Sequence, residues 1–237
     1  MTTQKAVLNR PVFTQRAFDS SALTVLTTLI HRFAEAGAYD LFIRRGERVV
    51  HRATVNVVRE ANAAHQIDVD MASLGTEPKG CDCGKHAEYT LREGGVMCFF
   101  VSKGTSRYSV VIEQIGAKEK KTLLDSAKGI PAGDLFAVTL VLPGAYRAVN
   151  TEGNAEMLVE VSMPAERYRV DQPTLVEIGR TGRFGTRRAS IQLGQTVVFR
   201  CGAEARIQLE LVKPHDIIQK REQEKPRFTV RKPDKNE

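Results

Sequence analysis

The sequence predicts an all-β protein with antiparallel pairing, built as one or two sandwiches. Three observations carry this. Runs rich in Val, Ile, Thr, Phe and Tyr recur with a period of two, and Gly-, Pro-, Asn- and Asp-rich turns bound them. Helical periodicity reaches at most two short stretches. The 237 residues are enough to bury a core without disulfide staples.

In chain order, residues 1–20 are polar, contain Pro11 and hold no steady period, so they read as an N-terminal arm. Residues 21–60 form a first β unit. It opens with "ALTVLTTLIHRF", a strand with helix as the alternative, and continues as the hairpin "AYDLFIRRGERVVHRATVNVVR", turning at Arg-Gly-Glu. There Val55 and Val57 alternate with Thr54 and Asn56, as a sheet with one wet face requires. Residues 61–86 lose period and read as a connecting loop and boundary, with room for a short strand at "HQIDVDM".

Residues 87–212 form the main sandwich region. "AEYTLR", "VMCFFVS" and "RYSVVIEQI" make a meander with turns at "EGG" and "KGTS". In the middle strand Met97, Phe99 and Val101 oppose Cys98 and Phe100, which predicts burial on both faces. "AKEKKTLLDSAKG" reads as a short helix or crossover loop. "DLFAVTLVL", "YRAVN", "EMLVEVSM", "AERYRV", "TLVEIG", "ASIQL", "TVVFRC" and "ARIQLELV" complete the strands, and 213–237 is a charged C-terminal tail.

One frame occurs twice. "GAYDLFIRRG" begins at Gly37 and "GAYRAVNTEG" at Gly144, each after a β-rich run. A Tyr just beyond a tight Gly turn can bury its ring while its hydroxyl bonds the preceding connection, so Gly37, Tyr39, Gly144 and Tyr146 are read as structural corners. With Glu35 ahead of Gly37, the first copy resembles the acidic-x-Gly-x-Tyr corner of immunoglobulin-like β-sandwiches. "ASIQLGQTVVFRCGAEARIQLELV" resembles the strand, Gly turn, strand opening of cupredoxin-like and immunoglobulin-like sheets. That resemblance brings no blue-copper centre, since the His, Cys and Met ligand cluster is missing there. Cys201 reads as a small core residue.

The chemistry-bearing stretches are few. "GCDCGKH" sets Cys81, Cys83 and His86 close together with Cys98 beyond, a donor set that fits a tetrahedral zinc site. The competing reading is a loop of thiols beside Lys79 and Lys85. "GRTGRFGTRR" places Arg180, Arg183, Arg187 and Arg188 around Phe184, a pattern able to hold phosphates and stack on a base. It equally suits a protein contact or a solvated hairpin loop. Arg44, Arg45, Arg48, Arg52 and Arg59 form a second basic strip along the first hairpin. His31, His51, His65 and His215 are scattered and read as surface or loop residues. No phosphate-cradling Gly loop and no catalytic signature accompany them.

Formal charge is +7 with a pI near 9.3, which favours an acidic partner without demanding one. The N-terminus carries no apolar h-region, so the expected location is the cytoplasm or a particle assembled there. The functional expectation is a non-enzymatic structural or accessory subunit of a larger assembly, a virion-like particle or multiprotein complex, without a cofactor. It would meet other protein subunits, as a homo- or hetero-oligomer, through arm, basic loops and tail. A metal-binding accessory protein using Cys81, Cys83 and His86 with zinc or copper is the alternative. Nucleic-acid binding through residues 179–188 is a further one.

Overall fold

The computed structural model describes residues 10–74, 87–116, 121–164 and 172–216. A 3-10 turn, Arg10–Phe13, precedes a succession of strands. The first seven are β1 (Ala17–Asp19), β2 (Thr27–Arg32), β3 (Gly37–Arg45), β4 (Arg48–Val58), β5 (Ala64–Asp70), β6 (Ala87–Phe100) and β7 (Tyr108–Gln114). There follow β8 (Lys121–Asp125), β9 (Leu135–Thr139), β10 (Gly144–Asn150), β11 (Ala155–Ser162), β12 (Thr174–Ile178), β13 (Arg188–Gln192), β14 (Thr196–Cys201) and β15 (Ile207–Pro214). The fold is all-β.

A five-stranded sheet runs β1-β15-β10-β11-β13, and a larger one runs β12-β14-β9-β2-β6-β4-β3-β7-β8 with β5 also on β6. The length of β6 explains the larger sheet. Leu91 faces Val57 of β4 on one edge and Ala64 of β5 on the other, whereas Met97 faces His31 of β2 and Ile67 of β5. One edge of β6 therefore changes partner midway, from β4 to β2. The larger sheet is a central sheet, β12-β14-β9-β2-β6-β5, which bends through β6 into a flanking sheet, β8-β7-β3-β4-β6.

The registers show that the chain folds the same topology twice. The β3-β4 hairpin has its mate in β10-β11. β4 lies parallel to the first half of β6, as β11 lies parallel to β13. β5 runs parallel to the second half of β6, as β12 does to β14. β7 borders β3 as β15 borders β10. The edge strands are exchanged: β8 closes β7 of the first repeat, and β1 closes β15 of the second. At the centre β2 and β9 pair antiparallel with Leu29 opposite Phe136, which are each other's mates, so a local two-fold axis passes there.

The correspondence extends to single hydrogen bonds. Gly94 N donates to Phe33 O and Phe33 N to Gly95 O; likewise Gly194 N donates to Leu140 O and Leu140 N to Gln195 O. Gly94 and Gly194 both sit at left-handed φ, 78° and 85°, where a side chain would be strained. Buried Ser20 accepts from Ile207 N at 3.0 Å, and buried Ser126 from Val110 N at 2.9 Å. One continuous core spans both repeats, with Leu29, Phe99, Phe136 and Phe199 at its middle.

Both Gly-Ala-Tyr frames turn the same corner. Tyr39 Oη donates to Glu35 O at 2.8 Å and Tyr146 Oη to Leu142 O at 3.1 Å, with both rings buried. Burial pushes the Tyr146 hydroxyl up to about 12, against the lowering effects of the Leu142 carbonyl and Arg16. Tyr39→Phe and Tyr146→Phe are each expected to cost about 1 kcal/mol, the net worth of one such bond, as a shifted urea midpoint at unchanged slope. A loss confined to one of the two would mean that the corners are not equivalent.

Several sequence expectations need correction. "EGG" is not a turn between strands: Glu93–Gly95 bend one continuous strand, β6, because Gly94 accepts the conformation of a bulge. "KTLLDSAKG" is neither helix nor crossover loop but β8 and a turn, held by β7 through Val111 opposite Asp125 and Ile112 opposite Leu124. The short strand expected at "HQIDVDM" is present as β5, which pairs with β6 in the central sheet. Cys98 and Phe100 are half-buried rather than buried, since their side of β6 faces away from the core. "AERYRV" lies outside the described residues.

Candidate functional site

The two stretches singled out from sequence connect equivalent strands. Each joins the outer parallel strand of its repeat to the next strand: one from β5 to β6, the other from β12 to β13. Cys81, Cys83 and His86 belong to the first and lie outside the described residues. Cys98, the fourth sulfur or nitrogen donor of that proposal, projects from β6 opposite Asp68 of β5. Burial, then the Asp68 charge and hydrogen bond, push its thiol up to about 11, so the thiolate that a metal needs is disfavoured there. Among the described residues no group of three or more His, Cys, Asp or Glu side chains is placed to hold a metal ion.

The arginine loop is fully described and firmly held. Gly182 N donates to Gly179 O, Gly179 N to Arg183 O, and Gly185 N to Glu177 O. Buried Asn150, at the end of β10, donates from Nδ2 to Gly182 O at 2.8 Å and accepts from Arg206 N at 3.0 Å. The loop thus leans on the β10-β11 turn so closely that a Cβ on Gly153 would lie 2.2 Å from Gly182 O. Gly182 itself has φ +73°.

Phe184 is half-buried. Its ring sits 6.0 Å from that of Phe199, at 59°, and is packed against the core. Phe184 anchors the loop and leaves the guanidinium groups outside. Arg188 approaches Glu160 at 3.7 Å, while Arg180, Arg183 and Arg187 are exposed and have no acidic partner among the described residues. Glu152, Glu156 and Glu177 occupy the neighbouring turn and strands. The basic strip of the first hairpin is spent differently, for Arg52 lies over the Phe42 ring at 5.7 Å and Arg59 approaches Glu93 at 3.5 Å.

Two clefts lie at matching places beside the exchanged edge strands. One, of about 440 Å³, is lined by Gln15, Ala17, Asp19, Thr24, Arg107 and Glu210; the other, of about 430 Å³, by Leu123, Asp125, Lys128, Pro131 and Glu204. Arg107 in the first stands where Glu204 stands in the second, so the mates differ in charge.

Sequence reading missed one polar pair. His31, expected at the surface, is buried, and its Nδ1 meets Asp134 Oδ2 at 2.7 Å. Asp134 Oδ1 also accepts from Arg32 N at 3.3 Å. Cys201 N donates to Asp134 O, and burial, then Asp134, push the Cys201 thiol up to about 12. No local motif marks this cluster, because β9 brings Asp134 to β2 from 103 residues away. The mate of the pair is Thr27 opposite Val138, and the mate of Cys201 is Val101.

The Cys201 pKa has a stability consequence. A thiol whose folded value lies above its ordinary 9.0 favours the folded chain fully below that pH, and the advantage is lost as pH rises toward about 12. Cys201→Val is therefore expected to fold normally and to lessen the loss of stability above pH 9, read by thermal unfolding at pH 8 and 10.5. An unchanged alkaline loss would remove Cys201 as a contributor. Comparison of the chain with models of protein families, with curated proteins and with solved structures finds no match.

Proposed function

We propose that the chain is a non-enzymatic structural or accessory subunit that docks on a larger assembly, a virion-like particle or multiprotein complex, through its arginine loop. The observation that carries this is the loop's construction. Arg180, Arg183 and Arg187 are exposed and lack acidic partners among the described residues, yet the backbone beneath them is pinned by Asn150, Gly153 and Phe184. Cations on a fixed frame lose little freedom on binding, which suits a protein contact. The acidic residues around the loop weaken the case for a continuous phosphate backbone, and the packing of Phe184 against Phe199 limits the aromatic surface it offers to single-stranded nucleic acid.

The finer architectural reading, immunoglobulin-like, rests on the corner bond from Tyr39 to Glu35 O and its repetition at Tyr146. For function, the decisive measurement is sedimentation of native extract with the parent chain and with Arg180, Arg183 and Arg187 all changed to Glu. The parent is expected in a high-mass fraction and the variant near its own mass. Two free monomers would overturn the assembly reading. Steeply salt-dependent binding of an oligonucleotide, abolished in the variant, would replace it with the nucleic-acid one.

A further inference from the structure

The outward face of the five-stranded sheet holds a cleft of about 430 Å³, lined by Arg147, Glu156, Met157, Leu158, Arg187 and Val212. It is continuous with the arginine loop, since Leu158 N donates to Arg187 O at 3.0 Å. Leu158 is an apolar residue between two cations, for Arg147 lies opposite it on β10 and Arg188 opposite it on β13. Those two reach Glu210 at 3.9 Å and Glu160 at 3.7 Å, long contacts between exposed side chains that hold weakly and exchange readily. Val212 is 48% exposed. The first repeat shows the same face filled. There Phe42 lies between Arg52 and Val111, with the Arg52 guanidinium 5.7 Å from the ring centre. The mates of these three are Val149 between Glu156 and Gln208, so the second repeat has neither the ring nor the cation above it.

We propose that this cleft anchors the partner of the arginine loop, and that the partner presents an aromatic side chain flanked by Asp or Glu. Two observations select this occupant. The first is charge. Arg180, Arg183 and Arg187 are exposed and have no acidic partner among the described residues, while Arg147 and Arg188 have only distant, exposed ones. Glu156 is the one acid in the lining and can accept from a backbone N–H of the docked segment. The second is the repeat. The first half of the chain covers this part of its face with a Phe ring under a guanidinium, and in the second half guanidinium groups stand at the cleft without a ring. A partner's Phe or Tyr, resting on Leu158 and Val212 between Arg147 and Arg187, restores the ring–cation contact and excludes water from it. A basic segment gains neither effect. This inference rests on the arginine loop being a docking surface and adds the chemistry of what docks there.

The probes are fluorescein-labelled peptides added to the full chain and read by anisotropy at low salt. Glu-Asp-Phe-Asp-Glu is expected to bind about tenfold more tightly than Glu-Asp-Ala-Asp-Glu, the effect of burying most of one ring, and Lys-Lys-Phe-Lys-Lys is expected not to bind. Changing Val149→Phe and Glu156→Arg together installs the row of the first repeat. This variant is expected to lose the preference for Phe while still binding the Ala peptide, because every arginine remains. Val212→Asp, at an exposed position, reads the same ratio if the double variant fails to fold. Equal binding of the Phe and Ala peptides to the parent, or no binding of either, overturns the proposal. So does a preference for Phe that survives in the variants, or binding of the basic peptide as tight as that of the acidic one. The two readings fail separately. If changing Arg180, Arg183 and Arg187 to Glu releases the chain from its high-mass fraction while the peptides show no preference for Phe, the docking loop stands and the aromatic anchor falls. If native extract holds no high-mass fraction, the assembly reading falls whatever the peptides do.

Discussion

Replacing Asp134 by Ala is expected to cost about 2–4 kcal/mol, because it strips a buried imidazole of its partner and leaves Arg32 N unpaired as well. His31→Val alone should cost a similar amount by leaving the carboxylate buried with one weak donor. The repeat predicts what repairs the damage. Across the two-fold axis the same contact is made by Thr27 and Val138, both buried in the same core. The double change His31→Val, Asp134→Thr installs that pair and is expected to return within about 1 kcal/mol of the parent, a coupling larger than either residue's ordinary surface effect. Urea unfolding of the parent, His31→Val, Asp134→Thr and the double variant measures it. Additive costs would show that the two halves of the central sheet are not interchangeable.

Gly153→Ala carries the second large effect. The new Cβ would meet Gly182 O at 2.2 Å and Gly182 C at 2.6 Å, and neither backbone atom can swing aside as a side-chain tip would. The arginine loop must lift, breaking the bond from Asn150 to Gly182 O. We expect a stability loss of about 2–3 kcal/mol, in the range for overpacking, together with loss of the high-mass species. Gly46→Ala is the control. It lies at the equivalent hairpin's tip with φ +60°, and a Cβ there meets no atom within 4 Å, so only backbone strain, about 1 kcal/mol, is at stake. Equal effects at the two glycines would mean that the Gly153–Gly182 approach does not hold the loop.

The all-β class was legible because alternation along a strand is local. Val55 and Val57 are buried and Thr54 and Asn56 are not, as their order implies. The Gly-Ala-Tyr frames were legible for the same reason, since the corner bond spans only four residues. The helix or crossover loop expected in "AKEKKTLLDSAKG" gave way to an edge strand over Lys121–Asp125, because a charged run says little of the neighbour, here β7, that will hydrogen-bond it. Phe184 is a related case: an aromatic among arginines looks like a stacking platform in the sequence, and only the fold places Phe199 beside it.

What the sequence by itself determined is the all-β class, most of the strands with their alternating faces, and the two Tyr corners, all fixed by interactions within a few residues. Only the tertiary structure decided that the corners belong to a duplication of the whole sheet plan, with β1 and β8 exchanged, because the paired repeats differ in side chains and agree in registers between distant strands. It also decided that Asp134 meets His31 across the axis, and that the Cys-bearing and Arg-bearing stretches connect equivalent strands. Pairing between strands is made by backbone groups that every residue carries, so it leaves almost no trace in the order of side chains.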